Sequence, residues 1–119
     1  MLKKLGIAVI MVLMIPLAAS AVSLTGKWTS DDGGTCYIRE VANDEIFWLH
    51  ENDPASPTYS NVAHGKRHAD RVILSWGDVP KGSATHQGIL VLKITDNTNK
   101  LVVILKTGGF LANTWTRNP

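Results

Sequence analysis

The residues best suited to chemistry in this sequence are aromatic. Tyr37, Trp48 and Trp76 lie in three separate β-rich runs, and Arg39 and Asn61 are placed to accompany them. If these residues face the interior of the same domain, the aromatic rings would form walls with a few polar groups beside them, which is the usual composition of a small-molecule site. The alternative is that the rings only fill a narrow core. We predict that Tyr37, Arg39, Trp48, Asn61 and Trp76 bind a ligand.

The histidines do not form a metal-binding pattern. His64 and His68 are four residues apart, a spacing that suits a helix face. On a strand the same spacing separates them by roughly 13 Å, too far to share an ion. His50 and His86 lie in other segments. We predict no metal and no cofactor, and we expect these side chains to be solvated at strand ends.

No nucleophile or paired acid has the setting that catalysis needs. Asp31 and Asp32 precede two glycines in a sequence typical of a tight turn. The Gly-x-Ser-x-Gly pattern of a nucleophile elbow does not occur. Cys36 is the only cysteine, so it cannot form an intramolecular disulfide, and we expect a buried thiol. We predict that the protein is not an enzyme.

Residues 1–21 are typical of a secretory signal peptide. Lys3 and Lys4 precede an apolar run over 5–17, and a small-residue cleavage pattern ends at Ala21. The apolar run is about 13 residues, against roughly 20 for a membrane-spanning helix. We predict cleavage after Ala21 and a secreted or periplasmic protein without a membrane anchor.

The charge balance argues against two classes of partner. The chain has 12 Lys and Arg against 10 Asp and Glu, and two of its lysines lie in the leader. The remaining segment, 22–119, is therefore close to neutral and long enough for one domain. This removes the electrostatic argument for nucleic acid or for an anionic membrane surface as partner.

The pattern beyond the leader predicts an all-β fold. Short β-rich runs alternate with turn-forming clusters, which is typical of a sandwich or barrel. Short connections favour neighbouring antiparallel strands, and hence a small eight-stranded up-and-down barrel. The predicted strands are roughly 24–30, 35–41, 45–51, 58–66, 71–77, 86–95, 100–107 and 110–117.

Alternation assigns the faces of several predicted strands. Ile46, Trp48 and His50 share one face of the third strand, and Trp76 lies on the apolar face of the fifth. The sixth and seventh strands are apolar on both faces. Their outer faces are a candidate contact surface for a protein partner or a second copy of the chain.

The ends of this segment resemble the calycin barrels of lipocalins and avidins. The resemblance rests on Gly26-Lys27-Trp28 at the start and Arg117 on the last strand. It implies that Trp28 closes one end of the barrel and that Arg117 packs across it with cation–π character. Gly26, Trp28, Trp115 and Arg117 are thus expected to be structural. Avidin's ligand residues have no counterparts here, so biotin binding is not implied.

Several short motifs are also similar to a group of small secreted bacterial proteins of uncharacterised function. This resemblance implies a common fold and no activity, and Cys36 replaces an aromatic residue expected in that group. The motifs are Thr25–Trp28, Asp31–Thr35, Tyr37–Arg39, Ser60–Val62, Asp78–Gly82, Gly108–Phe110 and Thr114–Arg117.

Two functions are consistent with the sequence. The first is non-catalytic binding of a small, partly apolar ligand inside a secreted barrel. The alternative is a protein-interaction module, such as an exported inhibitor of a protease or of lysozyme. The apolar outer faces of the sixth and seventh strands favour it, as do the proline-containing loops 52–57 and 78–82.

Overall fold

The chain forms a closed antiparallel barrel of eight strands in a computed structural model that describes residues 22–53, 55–56, 58–80 and 83–119. Each strand pairs with the next in sequence, and the last pairs with the first. The predicted all-β, eight-stranded up-and-down barrel is confirmed. The predicted signal peptide, 1–21, lies outside the described residues. The strands are β1 (Gly26–Ser30), β2 (Thr35–Val41), β3 (Glu45–Glu51), β4 (Ser60–His68), β5 (Arg71–Val79), β6 (Gln87–Thr95), β7 (Lys100–Lys106) and β8 (Thr114–Arg117).

Strict alternation along the strands builds the core. In β3, Ile46, Trp48 and His50 share one face, as predicted, and that face points into the barrel. Trp76 points inward on the apolar face of β5. Because successive side chains of a strand point to opposite faces, one buried residue fixes the direction of its neighbours. The interior is continuous from Leu24 at one end to Phe110 at the other.

The turns use residues that tolerate a left-handed backbone. Gly33 (φ +82°) lies in the β1–β2 hairpin, and Asn43 (φ +64°) lies in the short 3₁₀ turn between β2 and β3. Gly108 has φ +81°, and a Cβ there would lie 1.9 Å from the carbonyl oxygen of Gln87. Glycine is therefore required at position 108 both for conformation and for space.

Two features depart from the predicted strands. β8 begins at Thr114 rather than near residue 110, because the preceding segment turns Phe110 into the core. A bulge between Val91 and Leu92 shifts the register of β6 on β7, and Ile104 and Leu105 both remain exposed.

None of the described residues belongs to a helix long and apolar enough to cross a membrane.

Trp28 and Arg117 close one end of the barrel, which we call the closed end. The Trp28 side chain is fully buried, and its Nε1 donates to the carbonyl oxygen of Leu24 at 3.0 Å. The guanidinium carbon of Arg117 lies 4.5 Å from the centroid of the Trp28 ring. Arg117 also donates to the carbonyl oxygens of Ser23 and Thr98, which ties both flanking segments over the indole.

Candidate functional site at the mouth of the barrel

The opposite end of the barrel, which we call the mouth, is formed by the β1–β2 hairpin and the connections β3–β4, β5–β6 and β7–β8. The up-and-down topology places these four connections on one side, away from Trp28. Loops held on a rigid barrel are common positions for binding residues. The mouth is therefore the first place to look for a site.

Aromatic side chains fill the barrel below the mouth. Trp48 and Trp115 pack with ring centroids 5.1 Å apart, and Phe110 meets the Trp76 ring edge-on at 4.8 Å. All four side chains are buried. The interior is thus a packed core, and the space open to a ligand is confined to what lies above these rings.

A recess of about 160 Å³ lies at the mouth, above Trp76 and Phe110. Such a volume is smaller than the roughly 300–1,000 Å³ of pockets for drug-sized ligands. It is comparable to an apolar cavity of about 150 Å³ that can hold benzene. The recess therefore suits a single ring or one end of a longer molecule. Its principal lining residues are Tyr59, Asn61, Trp76, Asp78, His86 and Phe110.

Asn61 supplies a fixed hydrogen-bond donor to the recess. Its side-chain oxygen accepts from Trp48 Nε1 at 3.0 Å. Since the indole N–H can only donate, this bond settles which end of the amide is oxygen. Among the described residues, no acceptor is bonded to the Asn61 amide nitrogen, although the residue is only 1% exposed. The NH₂ group is therefore available to a ligand.

Asp78 supplies an acceptor beside that donor. Asp78 is the antiparallel partner of Asn61, so the two side chains stand next to each other at the mouth. Oδ2 of Asp78 accepts from the backbone N–H of His86 at 2.9 Å. Within the described part of the chain, no donor reaches Oδ1, and the side chain is only 6% exposed. Oδ1 is thus left for a ligand.

A second polar cluster, centred on Asp32, braces the wall of the recess. Its carboxylate accepts hydrogen bonds from the Ser30 and Tyr59 hydroxyls and from the backbone N–H of Gly34. His50 Nε2 lies 3.3 Å from Oδ2 of Asp32. These contacts join the β1–β2 hairpin to β3 and to Tyr59, which lines the recess.

The bonds within this cluster set the proton affinities of its members. Burial alone would raise the pKa of Asp32, but hydrogen bonds from His50, Ser30 and Tyr59 outweigh it and hold that pKa far below its usual range. Burial and the bond to Asp32 raise the pKa of Tyr59. Asp32 therefore remains a carboxylate, and Tyr59 remains a neutral donor to it.

The hydrogen bonds of His50 argue against its acting as a general base. Trp115 Nε1 donates to Nδ1 of His50 at 3.2 Å, so that nitrogen carries no proton and its lone pair is occupied. The other nitrogen, Nε2, faces Asp32, and the ring is fully buried. The expectation that the histidines are solvated is thus wrong for His50, because it shares the inward face of β3 with Trp48.

Two of the five predicted ligand residues lie outside the barrel. Trp48, Asn61 and Trp76 are buried inside the barrel. Asn61 and Trp76 line the recess, whereas Trp48 does not line it and is bonded to Asn61. The inward placement of Tyr37 is wrong, as is the placement of Arg39 at the mouth: both residues are exposed, because their neighbours Cys36 and Ile38 point inward. Neither outer residue can reach the recess, so the set divides into an inner group of three and an outer pair.

Tyr37 and Arg39 instead line an open apolar groove on the outer face of β2–β5. Its volume is about 630 Å³, and Phe47, Leu49 and Val62 form much of its wall. These side chains are all more than two-fifths exposed. The sixth and seventh strands add Ile89, Ile104 and Leu105 to the exposed apolar surface. The outer face predicted from β6 and β7 is present and extends further around the barrel.

Sequence reasoning missed Tyr59, Asp78, His86 and Phe110 as lining residues of the recess. Tyr59 and His86 lie in connections, where no periodicity indicates direction, and Phe110 lies outside the regular strand. Asp78 could have been found, because it continues the inward face of β5 beyond Trp76.

No group of three potential metal ligands occurs among the described residues.

No protein-family model, curated protein or solved structure matches the chain, so its function must be inferred from the geometry of the barrel.

Proposed function

We propose that this is an exported, non-catalytic protein that binds a small, partly apolar ligand at the mouth of a calycin-like barrel. The recess carries the proposal, because aromatic walls stand beside an amide donor that has no partner among the described residues. A ligand that accepts from Asn61 gains a hydrogen bond at the recess, which supports a binding role.

The packed core limits the size of this ligand. Trp48 and Phe110 pack against each other inside the barrel, with ring centroids 6.0 Å apart, so the ligand does not reach the closed end. Only one ring or a short chain enters, and the rest of a larger ligand extends past Leu111, which lies exposed at the rim. We expect modest affinity, because few atoms of the ligand are buried.

A thermal-stability screen of the purified protein against a chemically diverse set of small compounds tests the proposal. Ligands that bind only the native state raise the unfolding temperature. Compounds carrying one ring or a short apolar chain should raise it, and Trp76→Leu should abolish the rise. Phe47→Leu is the control, because it removes a ring from the outer groove and leaves the mouth intact. Stabilisation by none of the compounds would contradict the proposal, as would equal loss in both variants.

A second candidate function is protein binding through the outer groove, as in an exported inhibitor. Tyr37, Phe47, Leu49 and Val62 form an exposed apolar surface larger than isolated surface hydrophobes explain. Because the barrel is closed, strand addition to an edge is not available, so a partner must bind through side chains.

Sedimentation of the purified protein over a range of concentrations tests self-association through this face. A dimer that dissociates in Leu49→Lys, but persists in the closed-end control Thr98→Lys, would identify a second copy of the chain as the partner of this face. A monomer at every concentration would exclude a second copy of the chain as the partner.

A further inference from the structure

The neighbouring donor and acceptor at the mouth specify the chemistry of the ligand. We propose that the recess selects compounds carrying a carboxamide-like edge, in which a carbonyl oxygen and an N–H are attached to the same carbon. This rests on the proposed function and adds the class of ligand. The observation is the side-by-side placement of Asn61 and Asp78, each with one polar atom that no described group satisfies.

The register between β4 and β5 makes the two groups a pair. Directly opposed residues in an antiparallel sheet have Cβ atoms roughly 5 Å apart. The Asn61 NH₂ donates, and Oδ1 of Asp78 accepts. A carboxamide presents the complementary pattern, because its oxygen accepts from Asn61 while its N–H donates to Asp78. Both bonds can form at once, with the remainder of the ligand against Trp76.

Other small polar groups match only half of this pair. A carboxylate would accept from Asn61 but would place its charge beside Asp78, which is repulsive. An ammonium group would pair with Asp78 but would oppose the Asn61 donor. A purely apolar ring would form neither hydrogen bond and would cut both groups off from water. The recess therefore selects ligands by the arrangement of their hydrogen-bond donor and acceptor as well as by their shape.

Two neighbouring groups at the mouth, His86 and Asp32, do not change this pattern. His86 is bonded to Asp78 through its backbone N–H and holds the carboxylate in place. Its exposed ring lies 3.5 Å from Oδ2, the oxygen that is already engaged. Asp32 is occupied by Ser30, Tyr59 and Gly34. Asn61 and Asp78 remain the groups through which a ligand is recognised.

Calorimetric titration of the purified protein with four one-ring probes tests the class of ligand. The probes are benzamide, benzoate, benzylamine and toluene, which share a ring and differ in the polar edge. Benzamide should bind at least about tenfold more tightly than each of the others, because each of those loses one or both hydrogen bonds to Asn61 and Asp78.

The isosteric variant Asp78→Asn provides the sharper test. Its side-chain oxygen can still accept from His86, while its NH₂ now faces the ligand beside that of Asn61. Two donors should favour benzoate, so the preference between benzamide and benzoate should reverse. Asp31→Asn is the matched control, because it removes the same charge from the same end without touching the recess. It should keep the wild-type preference.

The outcomes separate the class of ligand from the proposed function. Equal binding of benzamide and benzoate, tighter binding of benzylamine, or an unchanged preference in Asp78→Asn would overturn the carboxamide proposal. Binding at the mouth would stand if any compound still required Trp76. If no probe and no member of the wider screen bound, both proposals would fail. An unfolding temperature near the wild-type value establishes that Asp78→Asn is folded.

Discussion

Replacing Trp28 with alanine should strongly destabilise the barrel. The side chain is fully buried, its N–H is bonded to Leu24, and Arg117 stacks on its face. Truncating a buried tryptophan typically costs about 3–5 kcal/mol in the free energy of unfolding. Small domains are stable by only about 5–15 kcal/mol, so a large fraction of the total is removed.

Trp28→Phe separates packing from hydrogen bonding. Phenylalanine keeps a ring under Arg117 but leaves the Leu24 carbonyl without its indole donor. We expect it to cost about 1–2 kcal/mol, which is less than the cost of alanine. Urea unfolding followed by far-ultraviolet circular dichroism gives both values, provided that the slope with denaturant is unchanged. A cost below about 1 kcal/mol for Trp28→Ala would refute the view that this residue closes the barrel.

Three further predictions concern other parts of the barrel. Asp32→Asn should lower stability by about 2–3 kcal/mol at pH 7. Because the native pKa of Asp32 is depressed, the difference in unfolding free energy between the wild type and this variant should be present above about pH 4 and should diminish as the pH falls further. A difference in urea unfolding that stays constant between pH 7 and pH 3 would contradict this prediction. Gly65→Ala should lower the free energy of unfolding by about 1–3 kcal/mol, because its Cβ would lie 1.8 Å from the Ile73 carbonyl oxygen. Gly77→Ala is the control and should change it by less than about 1 kcal/mol. Equal unfolding midpoints for the two variants would argue against this packing. Burial raises the pKa of Cys36, so a thiol reagent at pH 8 should react with it only after the protein unfolds. Rapid labelling of the native protein would contradict this prediction, because it would show that the thiol is accessible.

The sequence was sufficient to predict the barrel because local patterns determine it. Turn residues such as Asp31–Gly34 separate runs of β-forming residues, and alternation directs Trp48 and Trp76 inward. The pairing of Trp28 with Arg117 was anticipated from the resemblance to calycin barrels, and the pairing of β1 with β8 brings the two residues together. The error at Tyr37 and Arg39 arose from grouping aromatic and polar residues without applying the same alternation to β2.

The site was harder to predict because barrel closure assembles it. Asp32 and Tyr59 are 27 residues apart, and His50 and Trp115 are 65 apart. No local pattern connects such residues, and their bonds depend on the geometry of the loops. Phe110 is similar, because its direction is set by the turn at Gly108 and Gly109 and not by a strand. Directions within strands could therefore be inferred, whereas directions within connections required coordinates.

The most direct test of the central claim is to observe the four tryptophan indole N–H signals by NMR while benzamide is added. Single Trp→Phe variants assign the signals. The Trp76 signal should shift in proportion to occupancy, and the Trp48 signal should follow because its N–H is bonded to Asn61. The Trp28 signal should not move, since that residue lies at the closed end. A shift of Trp28 without Trp76 would place binding at the wrong end, and no shift of Trp76 at saturating benzamide would contradict a carboxamide site at the mouth.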